Sequence, residues 1–260
     1  MEKERCELSV LILTYHPSWK ALEQTLRSVL LQRDVRMQIV IADDGSPDPL
    51  TAEIEGFMAA HGISDYSLVH SAVNRGTVWN LSSGVDACRG EYIKTISPGD
   101  MLYGYDCLRR WLDFTRQGGY AATLSDAVYY RTQADGEIAL LSVRAHPQSL
   151  PAIRQGGKTL QDDYLLCDDM GIGAAVLATR AVYREYLPQI RDRLMYAEDN
   201  LWRLLVFDGG RLGWFDERAV LYEYGTAVST NGSSEWDRKV RKDWLAANEI
   251  MLSRLHPAYR

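Results

Sequence analysis

The 260-residue chain carries 29 Lys and Arg against 35 Asp and Glu, a net charge of −6, with 46% hydrophobic and 25% charged residues. That length suits one large α/β domain, the composition is that of a chain with a buried core, and the acidic balance argues against broad nucleic-acid binding. Cys6, Cys88, Cys107 and Cys167 form no C-x-x-C pair, "MEKERCELSV" is not a signal peptide, and no apolar run approaches the roughly 20 residues of a membrane span. Reduced thiols in a cytoplasmic protein are the expectation.

The first hundred residues alternate strand and helix. "LSVLIL" (Leu8–Leu13) and "MQIVIA" (Met37–Ala42) are short β-rich apolar runs, the pattern of buried parallel strands. Leu22, Leu26, Val29 and Leu30 lie at helical spacing between them. Gly45 and Pro47 end the second strand, and Ile54, Phe57 and Met58 mark the next helix. "YSLVH" is a third strand, Val78, Leu81, Val85 and Cys88 give another helical face, and "EYIKTI" is a fourth strand. Such alternation predicts a mostly parallel sheet with helices on both faces, which binds ligands beyond the carboxyl ends of its strands.

Leu108, Trp111 and Leu112 predict a further helix, after which the texture changes. "YAATLSDAVYYR" and "EIALLSVR" flank Asp135-Gly136, a hairpin signal. Residues 146–171, rich in Pro, Gly and Asp, read as irregular. "GAAVLAT" is a strand or a buried helix start, "EDNLWRLLVF" a helix and "AVLYEY" a strand. The tail from Ser234 reads as a helix with Trp236, Val240, Trp244, Leu245 and Met251 facing inward or toward a partner. The expected organisation is one domain over 1–260, with stretches 1–117 and 118–232 and a C-terminal helix (233–260).

Five short motifs fall at strand ends or helix starts. "DDGSPD" (Asp43–Asp48) places carboxylates where a nucleobase or ribose could be held, or forms a turn with caps. "NRGTVWN" offers Asn74 and Asn80 to a ligand with Gly76 making a tight turn, or is a capped helix start. "ISPGD" places Asp100 where a hard divalent cation could use it, or is a plain turn. "YAEDNLW" sets Glu198 and Asp199 before an apolar helix, as a general base or as partners of the helix dipole. "YEYGTAVSTN" is a loop able to meet phosphate through backbone N–H groups.

In order and spacing, "LSVLILTYH", "IVIADDGSPD", "NRGTVWNLSSGVDACRGEYIKTISPGD" and "YAEDNLWRLL" together resemble the family 2 glycosyltransferases of the GT-A fold, from Leu8 to about Ser229. The ending "YEYGTAVST" is similar to that of small bacterial members that build surface polysaccharides. The resemblance implies an inverting transfer from a nucleotide-diphosphate sugar, UDP-linked by expectation, to a glycan or lipid-linked acceptor, with 1–117 as the nucleotide-binding half and 118–232 as the acceptor-binding half. It implies that Thr14 and Tyr15 lie against the nucleobase, that Asp44 bonds the uracil while Asp43 supports the turn, and that Asn74, Gly76 and Asn80 line the nucleotide site. Asp100 would hold Mn²⁺ or Mg²⁺, Asp199 would be the catalytic base, Glu198 would position the acceptor and Trp202 would form part of the acceptor wall.

Two departures stand out. Ser97, Pro98 and Gly99 replace an acidic cluster, and Trp79 stands where an Arg is common, with Arg75 nearby. A decayed nucleotide-sugar or glycan-binding module is therefore a rival reading, opposed by the retained Glu198-Asp199 pair. A receiver-like signalling domain using Asp43 and Asp44 would leave half the chain without a role, and no P-loop signature occurs. Arg238, Lys239, Arg241 and Lys242 beside Trp236 and Trp244 read as a peripheral contact with the inner face of the plasma membrane, as a homodimer contact, or as a solvated face over core tryptophans.

Overall fold

The computed structural model describes residues 6–133, 135–145, 150–166, 171–225 and 234–254. Its frame is a mixed nine-stranded sheet. Strands β1 (Leu8–Thr14), β2 (Met37–Asp43), β3 (Tyr66–His70) and β4 (Tyr92–Ile96) form a parallel half in the order β3-β2-β1-β4. The chain runs outward from β1 through β2 to β3 and then crosses back to β4 on the other side of β1. The reversal opens a crevice at the carboxyl ends of these strands.

Alternation along each strand decides which face each residue serves. Leu11, Val40 and Ile93 point to one core, whereas Val10, Ile12, Ile39, Ile41 and Ile96 point to the other. Helices α1 (Trp19–Leu30), α2 (Thr51–Ala60) and, after the short strand β5 (Met101–Leu102), α4 (Cys107–Gly118) pack on the second face through Leu26, Phe57 and Trp111. Helix α3 (Thr77–Ala87) packs on the first face through Val78, Leu81 and Val85. Both faces of the parallel half are thus covered, which is why its strands read as continuous apolar runs.

The second half extends the same sheet. Strands β6 (Ala122–Thr132) and β7 (Ile138–Ala145) pair antiparallel, the hairpin expected around Asp135-Gly136, with Gly136 at φ +88°. Residues 150–166 are not irregular. They form two short helices, α5 (Leu150–Gln155) and α6 (Gly157–Leu166), separated by a Gly156-Gly157 junction with both φ values positive, while 146–149 and 167–170 lie outside the described residues. "GAAVLAT" is a single 3₁₀ turn (Gly173–Ala175) followed by β8 (Val176–Thr179), which joins β4 to β6. Helices α7 (Arg180–Ile190) and α8 (Asn200–Phe207) follow, then β9 (Leu212–Glu223), longer than "AVLYEY" alone indicates.

The C-terminal helix α9 (Ser234–Arg254) lies on the first face and buries Asp243, Ala247, Ile250 and Met251. Leu245 is not inward as its spacing predicts: it is 60% exposed. Trp236 meets Tyr196 edge-on at 5.0 Å and Trp244 lies under Arg203 at 5.8 Å, so both tryptophans already have contacts within the chain. Among the described residues no helix is long and apolar enough to cross a membrane.

Candidate active site

The crevice is built first by two adjacent carboxylates at the end of β2. Asp43 accepts from Thr14 Oγ1 at 2.9 Å, Ser46 Oγ at 2.6 Å and Ser46 N at 2.8 Å, and pairs with His70 Nδ1 at 3.0 Å. Burial alone would raise its pKa, but these bonds outweigh it and hold the carboxyl below its ordinary value. Asp44 is 3% exposed. Its Oδ1 accepts from Arg75 N at 2.9 Å and its Oδ2 from Gly76 N at 2.7 Å. Burial nonetheless leaves its pKa raised.

These bonds correct two expectations. Thr14 is turned into the Asp43 cluster and is 3% exposed, so its side chain is not free for a base; Tyr15 beside it is 52% exposed at the rim. Asn80, also 3% exposed, donates to Thr14 O at 3.2 Å and Ala42 O at 3.0 Å, stitching β1 to β2, and only its buried Oδ1 is without a partner. Asp44 acts first as a strut that fixes the 74–76 loop. Asn74 stays exposed on that loop, which approaches so closely that a Cβ on Gly45 would fall 2.5 Å from Val73 C.

Gly76 joins this loop to the second acidic pair. Its φ is +90°, and an added Cβ would stand 2.4 Å from Met195 O. The next turn of α3 bonds the same carbonyl, Val78 N to Met195 O at 3.1 Å. The segment 195–199 is therefore docked on the rim of the crevice. Its other support is Asp243 of α9, whose Oδ2 accepts the backbone N–H groups of Met195 at 2.9 Å, Tyr196 at 2.5 Å and Ala197 at 3.0 Å.

Glu198 and Asp199 emerge from this clamped segment. Asp199 occupies the N-cap position of α8 but makes no capping bond, so helix stabilisation does not account for its side chain. Both carboxylates rest against Gly173, where a Cβ would come within 3.0 Å of Glu198 Oε1 and 3.3 Å of Asp199 Oδ1. Both residues keep partial solvent contact. Desolvation raises both, Asp199 to about 7, and the charge of Asp199 raises Glu198 further. Trp202 lies close enough to Asp199 to favour its charged form without closing a hydrogen bond. It is 2% exposed and meets Tyr183 edge-on at 5.5 Å, so it belongs to the core behind Asp199 and not to an acceptor wall.

Asp100, 4% exposed, ends the turn after β4. Its N–H bonds Ser97 O at 3.0 Å, and its Oδ1 accepts from Glu223 N at 3.1 Å. Burial pushes its pKa up to about 7, against that bond and the field of Lys94. Glu223 crowds the same turn: Gly99 has φ +98°, and a Cβ there would fall 2.3 Å from Glu223 Oε2. A second carboxylate thus stands beside Asp100 although the local sequence lacks one. Among the described residues no group of three or more His, Cys, Asp or Glu could hold a metal ion. The donors fit a hard divalent cation only where phosphate and water oxygens supply most of its coordination.

Buried Lys94 links the two carboxylate centres. Its Nζ donates to Thr95 O and Ala174 O, and Thr95 Oγ1 donates to Gly173 O at 2.9 Å, which fixes the turn under Glu198 and Asp199. Burial pulls the Lys94 pKa down to about 7, with Cys107 and Asp100 opposing. The loop "YEYGTAVSTN" lies outside the described residues from position 226 onward.

The sequence pattern described as Glycosyl transferase family 2 matches residues 9–175. The chain belongs to glycosyl transferase family 2. Its fold is similar to that of S. aureus TarS 1–349 in complex with UDP-GlcNAc, at TM-score 0.63 and 15% identity over 92% of this chain and 66% of that one. The UDP complex of the same TarS fragment gives TM-score 0.59 and 15% identity, over 92% of this chain and 65% of that one. Against S. aureus TarS without the residue limits the values are 0.60 and 16%, over 84% of this chain and only 37% of that one. This family member thus spans about two thirds of the TarS fragment and little more than a third of the longer chain. No curated protein sequence matches it.

Proposed function

We propose that the chain is an inverting glycosyltransferase that moves a sugar from a UDP-linked donor to a glycan or lipid-linked acceptor in cell-surface polysaccharide assembly, acting in the cytoplasm. The observation that carries this reading is the Glu198–Asp199 pair. It is desolvated, uncapped, set against a glycine and joined through Met195 to the loop that Asp44 holds. A carboxylate with a pKa near 7 is matched to accepting a proton at neutral pH. The UDP and UDP-GlcNAc complexes of TarS support the choice of donor.

In this reading the nucleobase packs at Tyr15 and Asn74 and bonds a lone pair left on Asp44. The sugar then extends toward Asp199. Asp199 takes the proton from an acceptor hydroxyl as that oxygen attacks the anomeric carbon, and the diphosphate leaves from the opposite side with inversion. Glu198 holds the acceptor. Asp100, with Glu223 beside it, would hold Mn²⁺ or Mg²⁺, which supplies Lewis-acid stabilisation to the departing diphosphate. The test is UDP calorimetry with and without Mn²⁺ on wild type and Asp100→Ala, followed by turnover of UDP-sugars. Metal-dependent binding lost in the variant is expected. No UDP binding by the wild type would sink the reading.

A further inference from the structure

A cavity beside the 195–199 segment's support lies outside this scheme. It has a volume of about 360 Å³ and lies between the start of α3, the 191–196 segment and α9. Thr14, Asp43, Asp44, Asn80, Asp100, Glu198 and Asp199 do not line it. Its wall nevertheless includes Met195 and Tyr196, the residues that lead into the Glu198–Asp199 pair.

The charge of this cavity runs against that of the chain. Arg75, Arg191, Arg193, Lys239 and Lys242 line it in a protein of net charge −6. Of its two acidic residues, Asp243 is 5% exposed and spends its Oδ2 on three backbone N–H groups. Asp192 stays at the exposed edge. Arg193 is paired with Glu249. Arg75, Arg191 and Lys242 make no ion pair among the described residues. Two of them are held in place by an aromatic ring: Arg75 lies 3.2 Å from the Trp79 centroid and Arg191 4.6 Å from it. Arg191 also donates to Ser82 Oγ at 3.2 Å, while its Nε is buried without a partner. Guanidinium groups stacked on a ring and left short of an acceptor are pre-organised donors, and a phosphoryl group is the anion they match best.

We propose that this cavity binds a phosphate or diphosphate group carried by the acceptor, and so aligns the acceptor on the 195–199 segment. The assignment to the acceptor rests on the transferase reading above; the anion site itself does not. It also gives Trp79 a purpose, as the platform that orients two arginines.

The test is calorimetry with inorganic pyrophosphate in EDTA, so that no divalent cation carries the probe to Asp100. Wild type is compared with Arg191→Gln and Lys242→Glu, singly and together. Binding by the wild type that weakens about tenfold or more in the double variant is expected. Absent binding, or binding unchanged in the double variant, overturns the proposal. UDP affinity in Mn²⁺ and melting temperature should stay near wild type in both single variants, which separates a lost site from a lost fold; should Arg191→Gln unfold the chain, Lys242→Glu alone decides. UDP binding without cavity binding of pyrophosphate sinks only the cavity, whereas pyrophosphate binding without any UDP binding sinks the transferase reading and leaves the anion site. Two further probes identify the source of the phosphate. Phosphatidylcholine vesicles containing phosphatidic acid that capture wild type but not the double variant indicate a lipid headgroup. Binding of glucose 1-phosphate without vesicle capture indicates a soluble glycan phosphate.

Discussion

Two pairs of neighbouring carboxylates, Asp43-Asp44 and Glu198-Asp199, look alike in sequence and differ in how the fold bonds them. The first pair accepts bonds from Thr14, Ser46, His70, Arg75 and Gly76; these hold Asp43 below its ordinary pKa, while burial leaves Asp44 raised. The second pair is desolvated against Gly173 and raised, Asp199 to about 7. Hydrogen bonds that favour the charged form make a carboxylate structural. Burial that disfavours it, with no such bonds to answer it, brings a carboxyl toward the range where it can exchange a proton near neutral pH. The lesson is that an acidic pair is assigned a job by where its lone pairs go.

The contrast breaks most visibly in activity. Asp199→Asn keeps the shape and removes the proposed base, so turnover of a UDP-sugar should fall by ~10²–10⁴-fold. UDP affinity by calorimetry should hardly move. Equal loss of both would mean that the second pair is structural too. The mirror experiment is on stability: Asp43→Ala orphans four partners in a buried cluster and should cost on the order of 3 kcal/mol in denaturant unfolding. A cost no larger than that of a surface substitution would put Asp43 on the same footing as the second pair.

Asp243 sharpens the comparison from outside both pairs. It is a bonded carboxylate whose three backbone partners lead directly into the second pair. Asp243→Asn loses the charge that gathers three N–H groups and should loosen the 195–199 segment. kcat should fall roughly tenfold, with UDP affinity and KM for the donor nearly unchanged. A change in UDP affinity instead would show that α9 braces the nucleotide loop.

How legible all this is in the sequence depends on range. The four parallel strands and their turns are local patterns, and Leu8–Leu13, Met37–Ala42 and "EYIKTI" mark them well. Asp199 is legible by its place before an apolar helix. Asp243 is not, because it meets its partners 46 to 48 residues away and looks like any charge on an amphipathic helix. Glu223 reaches the Asp100 turn from 123 residues away and fills a place that "ISPGD" leaves empty of acid. Thr14, Asn80 and Trp202 mislead for the same reason: residue type shows that a group can bond a ligand, but only packing shows that the strand ends or the core have already claimed it. Helices α5 and α6 are hidden by Gly156-Gly157, which reads as a loop signal yet only separates two short turns of helix.

The last comparison is of stability against pH, and it discriminates best between burial and bonding. A carboxyl whose folded pKa lies above its unfolded value binds more protons folded than unfolded, between about pH 4 and about pH 7 for Asp199. Its contribution to stability therefore falls as pH rises through that window. Asp199→Asn has no such proton to lose. Near pH 4 the variant and wild type should melt together, and by pH 8 the variant should melt higher, so the difference grows with pH. The wild-type rate should climb over the same interval, since the base works only when ionised. If instead the variant melts lower at pH 8, Asp199 is held by bonds as Asp43 is, and the distinction between the two pairs fails.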